Sequence, residues 1–188
     1  MCSVPPNCQF FIDDAEEDWE FSQKFDFIHG RALITCFRDP SQVIQQAYHA
    51  IAPGGYLEMQ DPLLPFSFAG TVDPNCAFAR WSDLLGEGGA KSGRPWTNTH
   101  HYRRWMEEAG FEDVVERRFY WPLGPWAKGE YYKTIGALFQ QDMLNGLEGI
   151  SFKILGLLGW GIDEIRVFLA DVRKDMINHS AVRAYIPM

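Results

Sequence analysis

The sequence of 188 residues lacks the features that direct a chain to a membrane or to secretion. It contains no apolar run of the ~18 residues that a membrane-spanning helix needs. Its first ten residues, MCSVPPNCQF, have neither the basic start nor the apolar stretch of a signal peptide. No C-x-x-C pair occurs among Cys2, Cys8, Cys36 and Cys76, so neither a disulfide framework nor a zinc knuckle is indicated. We therefore expect a cytoplasmic protein with reduced thiols and no membrane partner.

Positive charge is also scarce. Lys and Arg number 17 against 25 Asp and Glu, which gives a net charge of −8, and no basic run occurs. A surface of this sign repels a phosphate backbone, so we expect no nucleic-acid partner. Hydrophobic residues make up 46% and aromatic residues 15% of the chain, a composition typical of a globular domain with a bulky core.

Several catalytic motifs are missing as well. No G-x-S-x-G sequence supports a hydrolase nucleophile. The segment GEGGAKSGR (86–94) fails as a phosphate-binding loop because Leu85 and Ala90 stand where that motif needs glycine, and we interpret it as a loop. His100 and His101 have no third ligand at a suitable spacing, so we expect no metal site.

The first third of the sequence contains three apolar strand patterns and one clear helix. We predict buried strands at CQFFIDD (8–14), FDFI (25–28) and YLEMQ (56–60). Between the last two, start signals at 39–41 precede apolar residues at helical spacing. Parallel β-α-β units produce this order of elements, and the sequence therefore predicts an α/β fold.

Helices dominate the later part of the sequence. We predict a helix over 99–109, a strand within 111–122 and a last helix near 161–177. On this pattern, residues 1–125 form the core of the domain and residues 126–188 form a C-terminal helical segment of the same domain.

Polar residues follow the first two predicted strands. Asp13 and Asp14 end the first strand, and His29 and Arg31 follow the second. Ligands of open parallel sheets bind outside the carboxyl ends of the strands, so these residues are candidates for a pocket. Simpler roles stay open: the two acids can cap the following turn, and His29 can be a histidine whose hydrogen bonds are satisfied at the sheet edge.

Taken in order, PPNCQFFIDDAEEDWEF, KFDFIHGRAL and APGGYLEMQD resemble the middle of a class I methyltransferase. The closer resemblance is to the fungal LaeA-like S-adenosylmethionine-dependent methyltransferases. The likeness continues through GRPWTNTHHYRRWMEEAGFEDVVERRFYWPLGPWAKGEYYKTIG and GWGIDEIRVFLADVRKDMINHSAVRAYIPM, and so covers essentially the whole chain. It implies a partial Rossmann-like fold, with a mostly parallel sheet and C-terminal helices.

The resemblance also implies a pocket for S-adenosylmethionine after the first two strands, lined by Asp14, Ala15, His29, Gly30 and Arg31. In the family, the acid of the D-A-E motif contacts the adenine of the methyl donor. By this resemblance, Asp14 and the backbone of Ala15 would contact the adenine. The other three residues would lie near the methionine moiety. Gln60 and Asp61, after the third strand, would border the acceptor site.

The sequence departs from the family in what it lacks. The family fold begins with a strand, a glycine-rich turn and a helix, and its second strand ends in an acid that holds the ribose; no glycine-rich turn of that kind occurs here. The chain also stops at RAYIPM, where the family usually adds a last strand. We therefore expect a methyltransferase truncated at its N-terminus, weakly active or inactive alone, with an apolar sheet edge open to a protein partner.

These implications give one leading hypothesis and two alternatives. The leading hypothesis is S-adenosylmethionine-dependent methyl transfer, without a metal, to a small molecule in fungal secondary metabolism. No catalytic residue is assigned, although His29, His100 and His101 are candidate bases. The first alternative is a non-catalytic regulatory or protein-binding module derived from a methyltransferase, for which family analogy also allows a nuclear location. The second is a gene-model error that separates this sequence from upstream coding sequence.

Overall fold

A computed structural model describes residues 5–188 of the chain. The described elements, in chain order, are β1 Phe25–Arg31, α1 Pro40–Ala50, β2 Ile51–Gln60, β3 Ser67–Phe68, α2 Ala77–Lys91, a 3₁₀ turn Asn98–His101, α3 Tyr102–Ala109, β4 Tyr120–Pro122, α4 Glu130–Leu157, α5 Ile162–Ile177 and β5 Ala184–Pro187. The strands form two small sheets, and α2, α4 and α5 pack on one another. Helices and a parallel strand pair together give the α/β class that the sequence predicts.

Helix α1 is the crossover between the two parallel strands. The Asp39 carboxylate caps it by accepting hydrogen bonds from the first free amides, and Pro40 supplies a backbone angle that suits the first turn. Its apolar stripe buries Val43, Ile44 and Ala47, and the helix packs against β2 and α3. The start signals in the sequence therefore act as expected.

Strands β1 and β2 pair in parallel and leave one face of their sheet open. Phe27 lies opposite Tyr56, and His29 lies opposite Glu58. All four side chains are exposed, because side chains alternate along a strand and these positions point away from the buried face. The uncovered face carries aromatic and ionisable groups up to the carboxyl edge of the sheet.

The main hydrophobic core lies between α2, α4 and α5. Phe78 and Trp81 of α2 are fully buried there. The Trp81 indole Nε1 donates to Ser151 Oγ at 2.9 Å, and Ser151 Oγ donates to the Leu147 carbonyl oxygen at 2.5 Å. These two hydrogen bonds satisfy the Trp81 indole N–H and the Ser151 hydroxyl, which the core encloses. The core joins residues on both sides of position 125, and the division of the domain at that position stays a prediction.

The second sheet is antiparallel, in the order β3–β5–β4. β5 lies in the centre, and the amide of Leu63 donates to the Pro187 carbonyl at 2.8 Å, which ties the segment after β2 to this sheet. Parallel pairing among residues 5–188 is therefore limited to β1 and β2, and the mostly parallel sheet implied by the resemblance is present only in that pair.

Two predicted strands are wrong in whole or in part. Residues 8–14 form no strand, and the side chains of Phe10, Phe11 and Ile12 are at least 77% exposed. Within 111–122, only β4 is a strand. The physical reason is the same in both cases: an apolar run becomes a strand only where a neighbouring strand satisfies its backbone groups. Only 120–122 have such a neighbour, β5, and none of the described strands pairs with 8–14 or with 111–118.

The interpretation of 86–94 as a loop is also wrong over most of its length. Residues 86–91 are the last turns of α2, and Gly88 and Gly89 are buried. The ideal Cβ position of Gly88 overlaps Ile154 of α4, and that of Gly89 lies 2.8 Å from the Trp96 ring. The glycines therefore allow a close helix contact, although glycine weakens a helix by itself.

The described cysteines Cys8, Cys36 and Cys76 are free thiols, and Cys2 lies outside the described residues. Although α4 is 28 residues long, no helix within residues 5–188 combines the length and hydropathy that crossing a bilayer requires.

Gly88→Ala is expected to lower the free energy of unfolding by about 1–3 kcal/mol through overpacking. The added Cβ would overlap the Ile154 side chain and lie 3.0 Å from the Ile154 carbonyl oxygen, which the helix holds in place. Gly86→Ala is the matched control on the same helix, because its Cβ enters open space. That control should raise stability by about 0.5–1 kcal/mol. Urea unfolding followed by circular dichroism measures both, and equal effects would contradict the close contact.

Stability should fall on acidification because of His179. Gln140 Nε2 lies 3.3 Å from His179 Nε2, so the neutral ring accepts there, and Nδ1 is buried with no partner among the described residues. Burial lowers the pKa of His179 below its ordinary 6.5. The unfolded chain then binds more protons below pH 6.5, so the free energy of unfolding decreases as pH falls through that window. Thermal unfolding at pH 7.5 and 5.5 measures this effect. Between these two pH values, the unfolding temperature of His179→Gln should decrease less than that of the parent protein. The control His49→Gln replaces an exposed histidine and should show the same decrease as the parent.

Candidate functional site

The carboxyl edge of the β1–β2 pair gathers three segments of the chain. They are the acidic turn at 13–17, the loop at 32–39 after β1, and the residues 60–61 that end β2. Ligands of parallel sheets bind at this edge, where the strand ends and the following loops leave a crevice. These three segments form the candidate site.

Asp61 is the buried centre of the edge, with only 7% of its surface exposed. Its Oδ1 accepts hydrogen bonds from the amides of Leu33 at 2.6 Å and Ile34 at 3.2 Å, and its Oδ2 accepts one from the Tyr102 hydroxyl at 3.0 Å. Burial raises the pKa of Asp61, and these three donors oppose that shift. Both carboxylate oxygens are thus occupied within the protein, which makes Asp61 a positioning residue for the loop after β1.

The loop after β1 carries backbone strain where it meets Asp61. Ala32 has φ of +57°, in the left-handed region that residues with a Cβ disfavour, and its amide donates to the Gln60 carbonyl at 3.1 Å. The Asp61 hydrogen bonds to the next two amides hold the chain in this conformation. A strained turn at the edge of a sheet is a common property of binding sites.

The acidic turn is fixed to the start of α1 by Glu16. Its Oε1 accepts from the amides of Arg38 at 2.7 Å and Asp39 at 3.0 Å. Trp19 Nε1 donates to the Ala15 carbonyl at 3.0 Å, and the Trp19 amide donates to Gln46 Oε1 at 3.0 Å. The turn therefore has a defined place beside the loop after β1.

Asp14 is exposed and performs the capping role that the sequence left open. Its Oδ1 accepts from the Glu16 amide at 3.0 Å, while its Oδ2 has no hydrogen-bond partner among the described residues. The Asp13 Oδ1 in turn accepts from the Asp14 amide at 3.0 Å. Capping uses one carboxylate oxygen of Asp14 and leaves the other available to a ligand.

His29, Gly30 and Arg31 end β1 but differ in what surrounds them. The His29 ring lies on the open face, stacked on Phe27 with 6.0 Å between centroids, and Arg31 is exposed. Gly30 is buried, and a Cβ there would come within 2.7 Å of Met59 Sδ. A larger residue at position 30 would therefore displace the Met59 and Leu33 side chains, whereas the two ionisable residues face solvent.

A cleft of about 680 Å³ runs from this edge along the outer side of β2 to the extended segment 114–119. Gln60 and Asp61 line it, and Gln60 Nε2 donates to Glu58 Oε1 at 2.8 Å. His100 also lines it, with Nε2 donating to the Leu64 carbonyl at 2.9 Å, which leaves Nδ1 as the free ring nitrogen. The exposed His101 packs near Trp105 instead, with 5.3 Å between ring centroids.

Sequence reasoning missed two residues that build this edge, Glu16 and Tyr102. Glu16 stands within the acidic D-A-E pattern, but nothing in its spacing shows that it reaches the start of α1. Tyr102 occupies an apolar position of α3, and its hydroxyl contact with Asp61 carries no sequence signal. Within the described part of the chain, no cluster of three His, Cys, Asp or Glu side chains could hold a metal ion.

Tyr102→Phe is expected to lower the free energy of unfolding by about 1–3 kcal/mol, because the buried Asp61 carboxylate loses a donor. Tyr56→Phe is the matched control, since the Tyr56 side chain is 73% exposed. The free energy of unfolding of this control should stay within about 0.5 kcal/mol of the parent value. Urea unfolding of both variants checks this. A urea midpoint of Tyr102→Phe equal to that of the parent would show that the hydrogen bond from Tyr102 to Asp61 does not stabilise the fold.

Comparison with known proteins supplies the family. The sequence profile of the Methyltransferase domain matches residues 3–116. The probable methyltransferase tdiE of Emericella nidulans is 35% identical over 93% of this chain and 55% of its own length. Methyltransferase pytC of Aspergillus terreus is 32% identical over 94% of this chain and 55% of its own length.

A more distant relative is the secondary metabolism regulator LAE1 of Cochliobolus heterostrophus, 26% identical over 97% of this chain and 61% of its own length. The chain thus spans little more than half the length of the curated relatives it matches. A methyltransferase domain implies a methyl donor and an acceptor. On the profile match, the chain belongs to the methyltransferase-domain family, and its relatives include fungal methyltransferases and regulators of secondary metabolism.

Proposed function

We propose that this chain functions in S-adenosylmethionine-dependent methyl transfer to a small molecule in fungal secondary metabolism. The observation that carries the proposal is the methyltransferase-domain match over 114 residues, from 3 to 116, which includes the whole β1–β2 edge. The relatives named methyltransferase support the reaction class, and the relatives named secondary metabolism regulator support the biological setting. We also propose that β1 and β2 belong to a mostly parallel, Rossmann-like sheet.

The acidic turn fits the adenine end of the methyl donor. Asp14 has a free Oδ2 that can accept from an exocyclic amine, and Glu16 fixes the turn that presents it. Ala15 takes part through its backbone, because its side chain is a single methyl group. S-adenosylmethionine supplies a sulfonium-bound methyl group that an acceptor nucleophile can take directly. His29, Gly30 and Arg31, at the end of β1, are proposed to lie toward the methionine moiety.

The cleft beside β2 is the proposed acceptor side. Gln60 presents an amide that can orient a hydroxyl or carbonyl group, and Asp61 keeps the loop after β1 in place beside it. A hydroxyl acceptor must lose its proton as its oxygen bonds to the methyl carbon. His100 Nδ1 is a candidate proton acceptor in the cleft, and His29 is the candidate on the open face.

A regulatory, protein-binding role is the second candidate function. Two observations favour it: relatives that carry the name of secondary metabolism regulator, and the exposed aromatic residues Phe27 and Tyr56 on the open face of β1–β2. Contiguous exposed apolar surface is typical of protein interfaces. Binding of the methyl donor distinguishes the two candidate functions, because methyl transfer requires a donor pocket and a protein-binding module does not.

Calorimetric titration of S-adenosylhomocysteine into the purified chain tests the proposal. Saturable binding with one site per chain is the expected result. Asp14→Ala should weaken it about tenfold, because a charged acceptor is worth about 1.5 kcal/mol to a donor on the ligand. Asp13→Ala is the matched control and should leave the affinity within about twofold, since Asp13 only caps the Asp14 amide.

Two outcomes of the same titration count against the proposal. Absence of binding in a monodisperse sample would remove the donor site from this chain and favour the protein-binding role. Equal weakening by both variants would show that the turn responds to general disruption, and it would remove the adenine assignment of Asp14.

A further inference from the structure

A second concave site lies on the antiparallel sheet, away from the β1–β2 edge. It is a pocket of about 460 Å³, a volume within the range of small-molecule sites. We call it the aromatic pocket, and it is lined by Tyr120, Pro122, Trp126, Lys128, Tyr132 and Tyr185 with Ala127. Nothing in the proposed methyl transfer uses these residues.

Strand alternation separates the aromatic pocket from the proposed acceptor cleft. Tyr120 and Pro122 of β4 point to one side of the sheet, and Tyr185 is the partner of Pro122 on β5. The intervening Trp121 points to the other side and lines the cleft beside β2. The two cavities therefore lie on opposite faces of β4, and a ligand in one does not enter the other.

The walls of the aromatic pocket are held by contacts outside it. Trp126 Nε1 donates to the Ala184 carbonyl at 3.1 Å, which fixes the indole against β5. The Tyr120 and Tyr185 rings meet edge to face, with 5.8 Å between centroids and 69° between planes. The amide of Gly124 donates to the Gly136 carbonyl at 3.0 Å and ties the loop before Trp126 to α4. These contacts hold the Tyr120, Trp126 and Tyr185 side chains in place before a ligand arrives.

The polar groups of the pocket set its charge preference. Lys128 forms no ion pair with any acid among residues 5–188, although the chain carries a net charge of −8. The neighbouring Lys133, by contrast, pairs with Glu130 at 3.1 Å. Tyr120 and Tyr132 are 49% and 43% exposed, so their rings and hydroxyls are accessible. An ammonium group at the rim of an aromatic pocket attracts an anion and repels a cation.

We propose that the aromatic pocket binds a planar aromatic carboxylate, a small molecule whose ring packs among Tyr120, Trp126 and Tyr132 while its carboxylate meets Lys128. The flat, rigid walls favour a flat ring, and the unpaired ammonium favours an acid. A site of this kind serves recognition of an aromatic metabolite, and it is independent of the methyl donor.

Equilibrium dialysis with 2-naphthoate tests the site on the whole chain. Two probes separate its features: 2-naphthylmethanol keeps the ring without the charge, and decahydronaphthalene-2-carboxylate keeps the charge without the planar ring. Naphthoate should bind saturably and at least fivefold more tightly than either. Lys128→Met should weaken naphthoate at least fivefold and leave naphthylmethanol unchanged. Lys153→Met, an exposed lysine of α4 outside the pocket, is the matched control and should change neither.

Tyr132→Leu supplies the second variant, because its exposed side chain makes unfolding a small risk. It should weaken both ring-bearing probes at least threefold. Absence of saturable naphthoate binding overturns the proposal, as does binding that Lys128→Met and Lys153→Met change equally. A decaproline peptide that binds the pocket while naphthoate does not would identify a peptide groove instead and would also overturn it. Saturation with S-adenosylhomocysteine should leave the naphthoate affinity unchanged.

Discussion

The buried carboxylate of Asp61 is the interaction on which the arrangement of the candidate site depends. Its two oxygens take donors from the loop after β1 and from α3, so one side chain joins three parts of the chain. A carboxylate removed from water is tolerated only when such donors replace the lost hydration. The cost of that burial is visible in the raised pKa of both Asp61 and Tyr102. The strained turn at Ala32 persists because these hydrogen bonds hold the residues that follow it.

The elements that the sequence predicts well are those whose signals are local. The Asp39 cap, the Pro40 first turn and the apolar stripe of α1 all act within one helix, and α1 forms where expected. Gly110 ends α3 with φ of +108°, as a glycine at a helix end commonly does. The apolar and acidic pattern of α5 likewise needs no distant partner to be recognised. The positions of His29 near the end of β1 and of Gln60 at the end of β2 follow from the β-α-β order alone, whereas that of Asp14 does not, because the strand predicted before it is absent.

The features that the sequence could not supply depend on distant neighbours. Phe10 to Ile12 read as a buried strand because they are apolar, but a strand also needs a paired backbone beside it. Gly88 reads as a loop residue because glycine weakens helices, yet its position is set by the approach of Ile154 from α4. The hydroxyl of Tyr102 is invisible in a pattern that scores the residue as apolar. Each difference arises from tertiary contacts overriding a local preference.

The open face of the β1–β2 pair sets the order in which parts of the molecule loosen. Two strands with solvent on one side are marginal in water, whereas Phe78, Trp81 and Leu169 are fully buried between three helices. We therefore expect the amide hydrogens of β1 and β2 to exchange with solvent through a local opening that leaves the helical core closed. The edge that carries the acidic turn belongs to the less protected part of the fold. A ligand that spans this edge is expected to stabilise both strands. Part of its binding free energy would then be measured as slower exchange of the amide hydrogens of β1 and β2.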